Sequence, residues 1–275
     1  MSTAVVMASR PAAEGEAASI NITREDLAGV FRLKHDDPDR MGWLPRLHKR
    51  FGYFTPDEYY EAMVAKLVAP GRTWVDLGCG RDLFPHNRNL AKILSERCGL
   101  LVGVDPDDTL NDNPFVHEKA RSTIDAYHTP RTFDVLTLRM VAEHIAEPET
   151  TLEALARLSA PGSKVVVYTV NLWAPLAVLA WLIPFRFHHA IKRLFWQTEE
   201  RDTFPVVYKL NTRRRLKDSF ARHGFQEVYF SRPDDCRTLS RFRWLHLVEL
   251  FLWRLLKAVG AGFPENCLLG VYERV

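Results

Sequence analysis

Cysteine is scarce in this chain. Its four residues, Cys79, Cys98, Cys236 and Cys267, form no C-x-x-C pair. That spacing argues against both a zinc site and a disulfide framework, and it suits a reducing cytoplasm. Long apolar runs are missing too: no stretch reaches the ~20 uninterrupted residues that a membrane-crossing helix needs. There is no extended Lys/Arg tract, and a net charge of +3 is too small to suggest a nucleic-acid partner. Residues 1–19 are rich in Ala, Ser and Glu but lack a basic segment ahead of an apolar core, so a flexible tail is expected there rather than a signal peptide. What remains is an ordinary globular composition, 47% hydrophobic and 26% charged over 275 residues, enough for a sizeable core.

The most informative stretch is Trp74-Val75-Asp76-Leu77-Gly78-Cys79-Gly80. An apolar run from Thr73 to Leu77 breaks into two glycines one residue apart. This reads as a buried strand of a parallel sheet that turns tightly into a helix, where glycine allows positive φ and close approach of a ligand to bare backbone. A pyrophosphate-binding G-x-G-x-x-G would need a third glycine at position 83, where this chain has Leu83. Downstream, a helix over Leu90–Cys98 closes at Gly99. Leu100–Asp105 then forms a second apolar strand with an acid at its carboxyl end, where ligands of open α/β sheets sit. A short third strand is expected at Pro114–His117. Thr132–Leu138 is a fourth, Pro148–Leu158 a helix, and Pro161-Gly162-Ser163 a turn into a fifth strand ending near Asn171. Asn211–His223 is a helix capped by Asn211 or Thr212, followed by strands at Phe225–Phe230 and Cys267–Tyr272. This alternation predicts a doubly wound α/β sheet. Ahead of it, Thr23 with Asp26 makes a capping box, and Thr55 caps a helix whose first residue is Pro56.

Asp-x-Gly-x-Gly followed by these strands in this order resembles the class I S-adenosylmethionine-dependent methyltransferases, over roughly residues 50 to 275. The resemblance implies a seven-stranded, mostly parallel, Rossmann-like sheet with an antiparallel last strand, and helical substrate-cap insertions near 172–210 and 238–262. It implies a helical lid over 20–70 ahead of a methyltransferase domain spanning 71–275. S-adenosylmethionine would be the cofactor: Gly78, Cys79 and Gly80 would pack against its methionine part, Asp76 would hold its amino group, and Asp105, followed by Pro106, would accept its ribose hydroxyls. Arg139 and Met140 would also face it, and an adenine contact would fall within 119–122. Asp82 and Ser163 stand where the family often has glycine.

Methyl transfer to oxygen needs alignment, exclusion of water and removal of a proton. Met140-Val141-Ala142-Glu143-His144-Ile145 is similar to a stretch of the ubiquinone-biosynthesis O-methyltransferases, which have a Glu in place of Met140. With that ligand gone no metal site is expected, and Glu143 and His144 become the catalytic candidates, His144 as general base. Substrate contacts are expected from Tyr53, Asn171, Arg201, Asp235 and Arg237, the charged ones suited to a polar or anionic group or to an ion-pair network pinning loops. Leu172–Pro184 is nearly all apolar. Leu239–Val259 reads as a helix on which Arg243, His246, Arg254 and Lys257 form a narrow basic stripe. These faces suit a peripheral membrane contact, a cap over the pocket, or a homodimer interface. The functional expectation is therefore methyl transfer to a small-molecule or lipid-linked acceptor, at oxygen. Two alternatives stand beside it: a nicotinamide-dependent oxidoreductase, for which no Tyr-x-x-x-Lys pair is present, and a non-catalytic cofactor-binding module. No Asn-Pro-Pro-Tyr follows the fourth strand, so a nucleic-acid base is not the expected acceptor.

Overall fold

Residues 20–35, 40–182 and 206–275 are described by the computed structural model. Five strands, β1 (Thr73–Leu77), β2 (Leu100–Asp105), β3 (Glu118–Arg121), β4 (Phe133–Arg139) and β5 (Ser159–Val170), pair in parallel. They are joined by β6 (Phe225–Ser231) and β7 (Cys267–Arg274) in the order β3-β2-β1-β4-β5-β7-β6. Only β7 is reversed, antiparallel to both β5 and β6, as the resemblance implied. The central strands are buried on both faces, which is why they read as continuous apolar runs rather than alternating ones.

Alternation along β1 sends Trp74 to one layer and Val75 and Leu77 to the other. The first layer holds α1 (Arg24–Lys34), α3 (Pro56–Leu67) and α4 (Arg88–Arg97). The second holds α5 (Pro148–Arg157) and α7 (Arg213–Arg222). Asp76 shares the Trp74 side and so faces the layer that carries α3. Both expected caps form: Thr23 makes its capping box with Asp26, and Thr55 caps the helix that Pro56 opens, with Glu58 completing a second capping box there. Thr212, not Asn211, caps α7. A third, smaller core of Tyr53, Cys236, Leu250 and Trp253 joins α2 (Trp43–Phe51) to α8 (Arg243–Ala258). The short helix α6 (Pro175–Leu182) follows β5.

Two expectations are corrected. The third strand is Glu118–Arg121, not Pro114–His117. Asn113 accepts a hydrogen bond from the Phe115 amide and turns the chain there, and the true strand is an exposed sheet edge with no apolar run to reveal it. The basic stripe on α8 is interrupted: His246 is fully buried, its Nδ1 3.0 Å from Glu249 Oε2 and its Nε2 3.0 Å from His48 Nε2.

Candidate cofactor and active site

Gly78 and Gly80 both adopt positive φ, 75° and 47°. A Cβ on Gly78 would lie 2.4 Å from Val141 Cγ2, so glycine is required there for space as well as conformation. The turn is held from β2. The Gly80 amide donates to Asp105 Oδ2 at 2.9 Å, the Asp107 amide to Asp105 Oδ1 at 2.8 Å, and the Gly78 amide to the Val104 carbonyl at 2.7 Å. Pro106 follows Asp105 and accepts Arg121 Nε through its carbonyl. Cys79 is buried, and burial pushes its thiol far up, which removes it as a nucleophile.

Asp76 is the central charge of the site. Its register partners are Gly103 on β2 and Thr137 on β4, and Thr137 donates to its Oδ1 at 2.5 Å. Trp74 Nε1 donates to Thr137 at 2.7 Å and orients that hydroxyl. Burial raises the Asp76 carboxyl to about 6, against the opposing pull of Thr137 and Arg139. A carboxylate destabilised in this way gains most from a bound cation. Above it Tyr60 of α3 stacks on Tyr168 of β5, ring centres 5.3 Å apart. The buried Tyr60 hydroxyl has no hydrogen-bond partner among the described residues. Beside them a cavity of about 70 Å³ is lined by Asp57, Tyr60, Glu61, Phe84, Pro85, His86 and Arg139. Burial raises Glu61 to about 7 despite Lys34 Nζ at 3.3 Å and Asn87 Nδ2 at 2.8 Å. Partial burial, with Lys34, pulls the rim imidazole of His86 down.

The expected substrate residues divide into groups. Arg237 is held by two carboxylates, Asp57 through Nη1 and Asp235 through Nε at 2.7 Å and Nη2 at 2.8 Å. Burial alone would raise Asp57, but the Arg237 guanidinium together with the charges of Lys34 and Arg139 outweighs it and holds that carboxyl down at about 2. Tyr168 donates to the other Asp57 oxygen at 3.2 Å, so this network reaches the sheet beside the cavity. Tyr53 lies behind it: its hydroxyl donates to the Asp234 carbonyl at 3.0 Å and accepts the Cys236 amide at 2.9 Å. Asn171 bonds Asn266 at 2.8 Å and accepts the Trp173 amide. Arg201 lies outside the described residues.

Of the residues past β4, Arg139 lines the cavity and Met140 adopts φ 53°, its amide donating to the Tyr168 carbonyl at 2.8 Å. Positive φ at a non-glycine residue here marks a backbone held against its preference beside the site. Glu143 is buried and accepts from Thr169 at 2.6 Å, and Asn211 donates to that same hydroxyl. Burial raises the Glu143 carboxyl, and its backbone carbonyl takes the Val207 and Tyr208 amides. His144 is half-buried at the end of a 3-10 turn over Ala142–His144. Among the described residues no three His, Cys, Asp or Glu side chains gather where they could hold a metal ion. Sequence reasoning missed Asp57, Tyr60, His86 and Tyr168. Asp57 reads as a first-turn helix acid and Tyr168 as a strand core residue, and only their convergence makes them a site.

The fold and the glycine turn define a class, and comparison with known proteins agrees. Residues 47–229 match the family described as "Methyltransferase domain", and the chain belongs to it, as a class I S-adenosylmethionine-dependent methyltransferase. It is similar to a "Ubiquinone biosynthesis O-methyltransferase" of Psychrobacter cryohalolentis, 26% identical over 52% of this chain and 57% of the relative. A relative of the same name from Paracidovorax citrulli is 27% identical over 56% of this chain and 60% of its own length. The chain thus spans less than two thirds of these relatives. The crystal structure of an S-adenosylmethionine-dependent methyltransferase from Mesorhizobium loti shares the fold, with a TM-score of 0.51 and 17% identity over 80% of this chain and 98% of that one. The family match sets the nicotinamide reading aside. S-adenosylmethionine is the cofactor of this class, and the residues present fit it: a buried carboxylate poised for a cation, an orphan hydroxyl, a turn with no room for a Cβ, and an acid closing β2.

Proposed function

We propose that this protein transfers a methyl group from S-adenosylmethionine to a hydroxyl of a small-molecule or lipid-linked acceptor. The observation that carries the reading is Asp76, a carboxylate buried beside the glycine turn and raised to about 6. Asp76 would hold the amino group of the cofactor, Asp105 the ribose, with Gly78, Cys79, Gly80 and Pro106 forming the cradle and Arg139 and Met140 the floor. The cofactor supplies a methyl already activated on a sulfonium; the chain must align the acceptor, keep water out and take up a proton. The Tyr60–Tyr168 stack and α3 exclude water from above. Asp235 and Arg237 form the polar wall of the acceptor side, with Asn171 and Tyr53 holding the loops behind it.

We assign proton removal to a histidine. His144 is the candidate past β4, next in the 3-10 turn to the buried Glu143, which is itself bonded to Thr169. His86 lines the cavity, and its lowered pKa keeps the imidazole neutral and able to accept a proton near pH 7. Oxygen as acceptor atom is favoured by the printed names of the curated relatives. The test is calorimetric titration with S-adenosylmethionine and, separately, NAD, paired with transfer of radiolabelled methyl into hydroxyl-bearing lipophilic compounds. Binding of the sulfonium cofactor that drops by roughly a hundredfold in Asp105→Ala supports the reading. Binding of NAD alone overturns it. Cofactor binding with no label transferred to any hydroxyl overturns the assignment to oxygen. Loss of turnover in His86→Gln but not His144→Gln would move the base to His86.

A further inference from the structure

α8 is built inside out. Its inward side carries His246, Glu249, Leu250 and Trp253, all buried. Its outward side carries Trp244 (79% exposed), Val248 (65%), Phe251 (65%) and Val259 just past its end (70%), together with Leu245, Leu252 and Leu255. At the ~100° advance per residue of an α-helix, these seven side chains fill one arc of about 120°, its centre about 150° from the buried side. The apolar arc therefore points away from the body of the protein.

The orientation is fixed by polar contacts. His246 bonds Glu249 and His48; Trp253 Nε1 donates to Asp234 Oδ2 at 2.9 Å; the Leu239 amide donates to Glu249 Oε2 at 3.2 Å. Rolling the helix to bury its leucines would break these bonds and expose an acid and an imidazole now paired in the interior. An apolar face this large and continuous, held outward by specific bonds, calls for an occupant.

Charge decides which one. Glu249 is the sole acid of α8 and it is buried, whereas Arg243 and Arg254 are exposed and flank one edge of the arc; Lys257 lies on the opposite side, over the Trp253 ring. A two-fold pairing of this face with a second copy would set those arginines against their own kind with no acid of the helix to answer them. A surface that is apolar below and anionic at its rim meets both features: the arc enters the acyl boundary while the long Arg stems reach the headgroup phosphates. Sixteen residues make a helix about 24 Å long, too short to cross a bilayer but suited to lie along one.

We propose that α8 is a monotopic anchor through which the protein docks on anionic lipid bilayers, with Trp244, Val248, Phe251 and Leu255 inserted and Arg243 and Arg254 at the headgroups. This does not depend on the methyl acceptor. The test is flotation of the full chain with vesicles of phosphatidylglycerol and phosphatidylcholine in equal parts, and with phosphatidylcholine alone. The expected result is partition into the anionic vesicles that weakens with added salt and falls by roughly a hundredfold in W244S/F251S, with an unchanged melting temperature because both side chains are exposed. R243E/R254E is expected to lose the preference for anionic lipid. Absence of wild-type partition, or equal partition of W244S/F251S, would overturn the proposal. So would a dimer by light scattering that W244S/F251S converts to monomer, which would give the face to a second copy.

Discussion

Asp76 shows what a binding residue costs the fold that carries it. Burial lifts its carboxyl from the ordinary value near 3.8 to about 6, so the folded protein binds this proton more tightly than the unfolded chain. The associated stability is present below about pH 4 and is lost as pH rises through about 6. Asp76→Asn keeps an acceptor for the Thr137 hydroxyl and removes the charge. At pH 8 it is expected to raise Tm by several degrees in differential scanning calorimetry, an advantage that vanishes near pH 4. The same variant is expected to lose roughly a hundredfold in cofactor affinity by titration calorimetry. A variant no more stable at pH 8 than wild type would refute the account of the charge. Asp76 was visible in the sequence because it sits two positions before the glycine turn; its energetic strain was not, because that depends on Thr137, Arg139 and the layer above.

Among the elements, α3 has the largest share in the site. Its start is written locally, by Thr55, Pro56 and Glu58. Its role comes from what its first turns meet, since Asp57, Tyr60 and Glu61 all line the cavity. The link from Asp57 to Arg237 joins this helix to the loop after β6. Arg237→Gln leaves Asp57 and Asp235 facing each other without a cation. It is expected to destabilise the protein by roughly 2–3 kcal/mol in urea unfolding, the partial exposure of the pair keeping the figure below that of a fully buried one. Adding Asp57→Asn should restore part of the loss, since the uncompensated charge rather than the missing bond is most of the cost. Additive losses in the double variant would contradict that. α8 makes the same point: its apolar pattern left a membrane contact, a cap over the pocket and a homodimer interface open, and the structure turns that face out.

Across the whole molecule, the N-terminal helices and the C-terminal insertion are joined at the His48–His246–Glu249 chain. Two imidazole nitrogens 3.0 Å apart need one donor and one acceptor, so the two rings cannot both be fully protonated. Burial, then His246, pulls His48 down to about 3. The sign follows: the unfolded chain takes up this proton near pH 6.5 and the folded one does not, so stability falls as pH drops from about 6.5 toward 3. The wild type should lose on the order of 1–4 kcal/mol across that window relative to His48→Gln, read from urea midpoints at a series of pH values. Parallel pH profiles for the two proteins would refute it. The sequence alone determined the class: apolar strands bounded by glycine and acid, helices with their own caps, and a parallel order that strand burial and connection handedness leave little freedom to change. Those are local or nearest-neighbour properties of the chain. The tertiary structure alone decided that Asp57 meets Arg237, 180 positions away, and which side of α8 faces the protein. Such outcomes turn on partners brought together by folding, and an amphipathic pattern states that a helix has two faces without saying which one the rest of the molecule will cover.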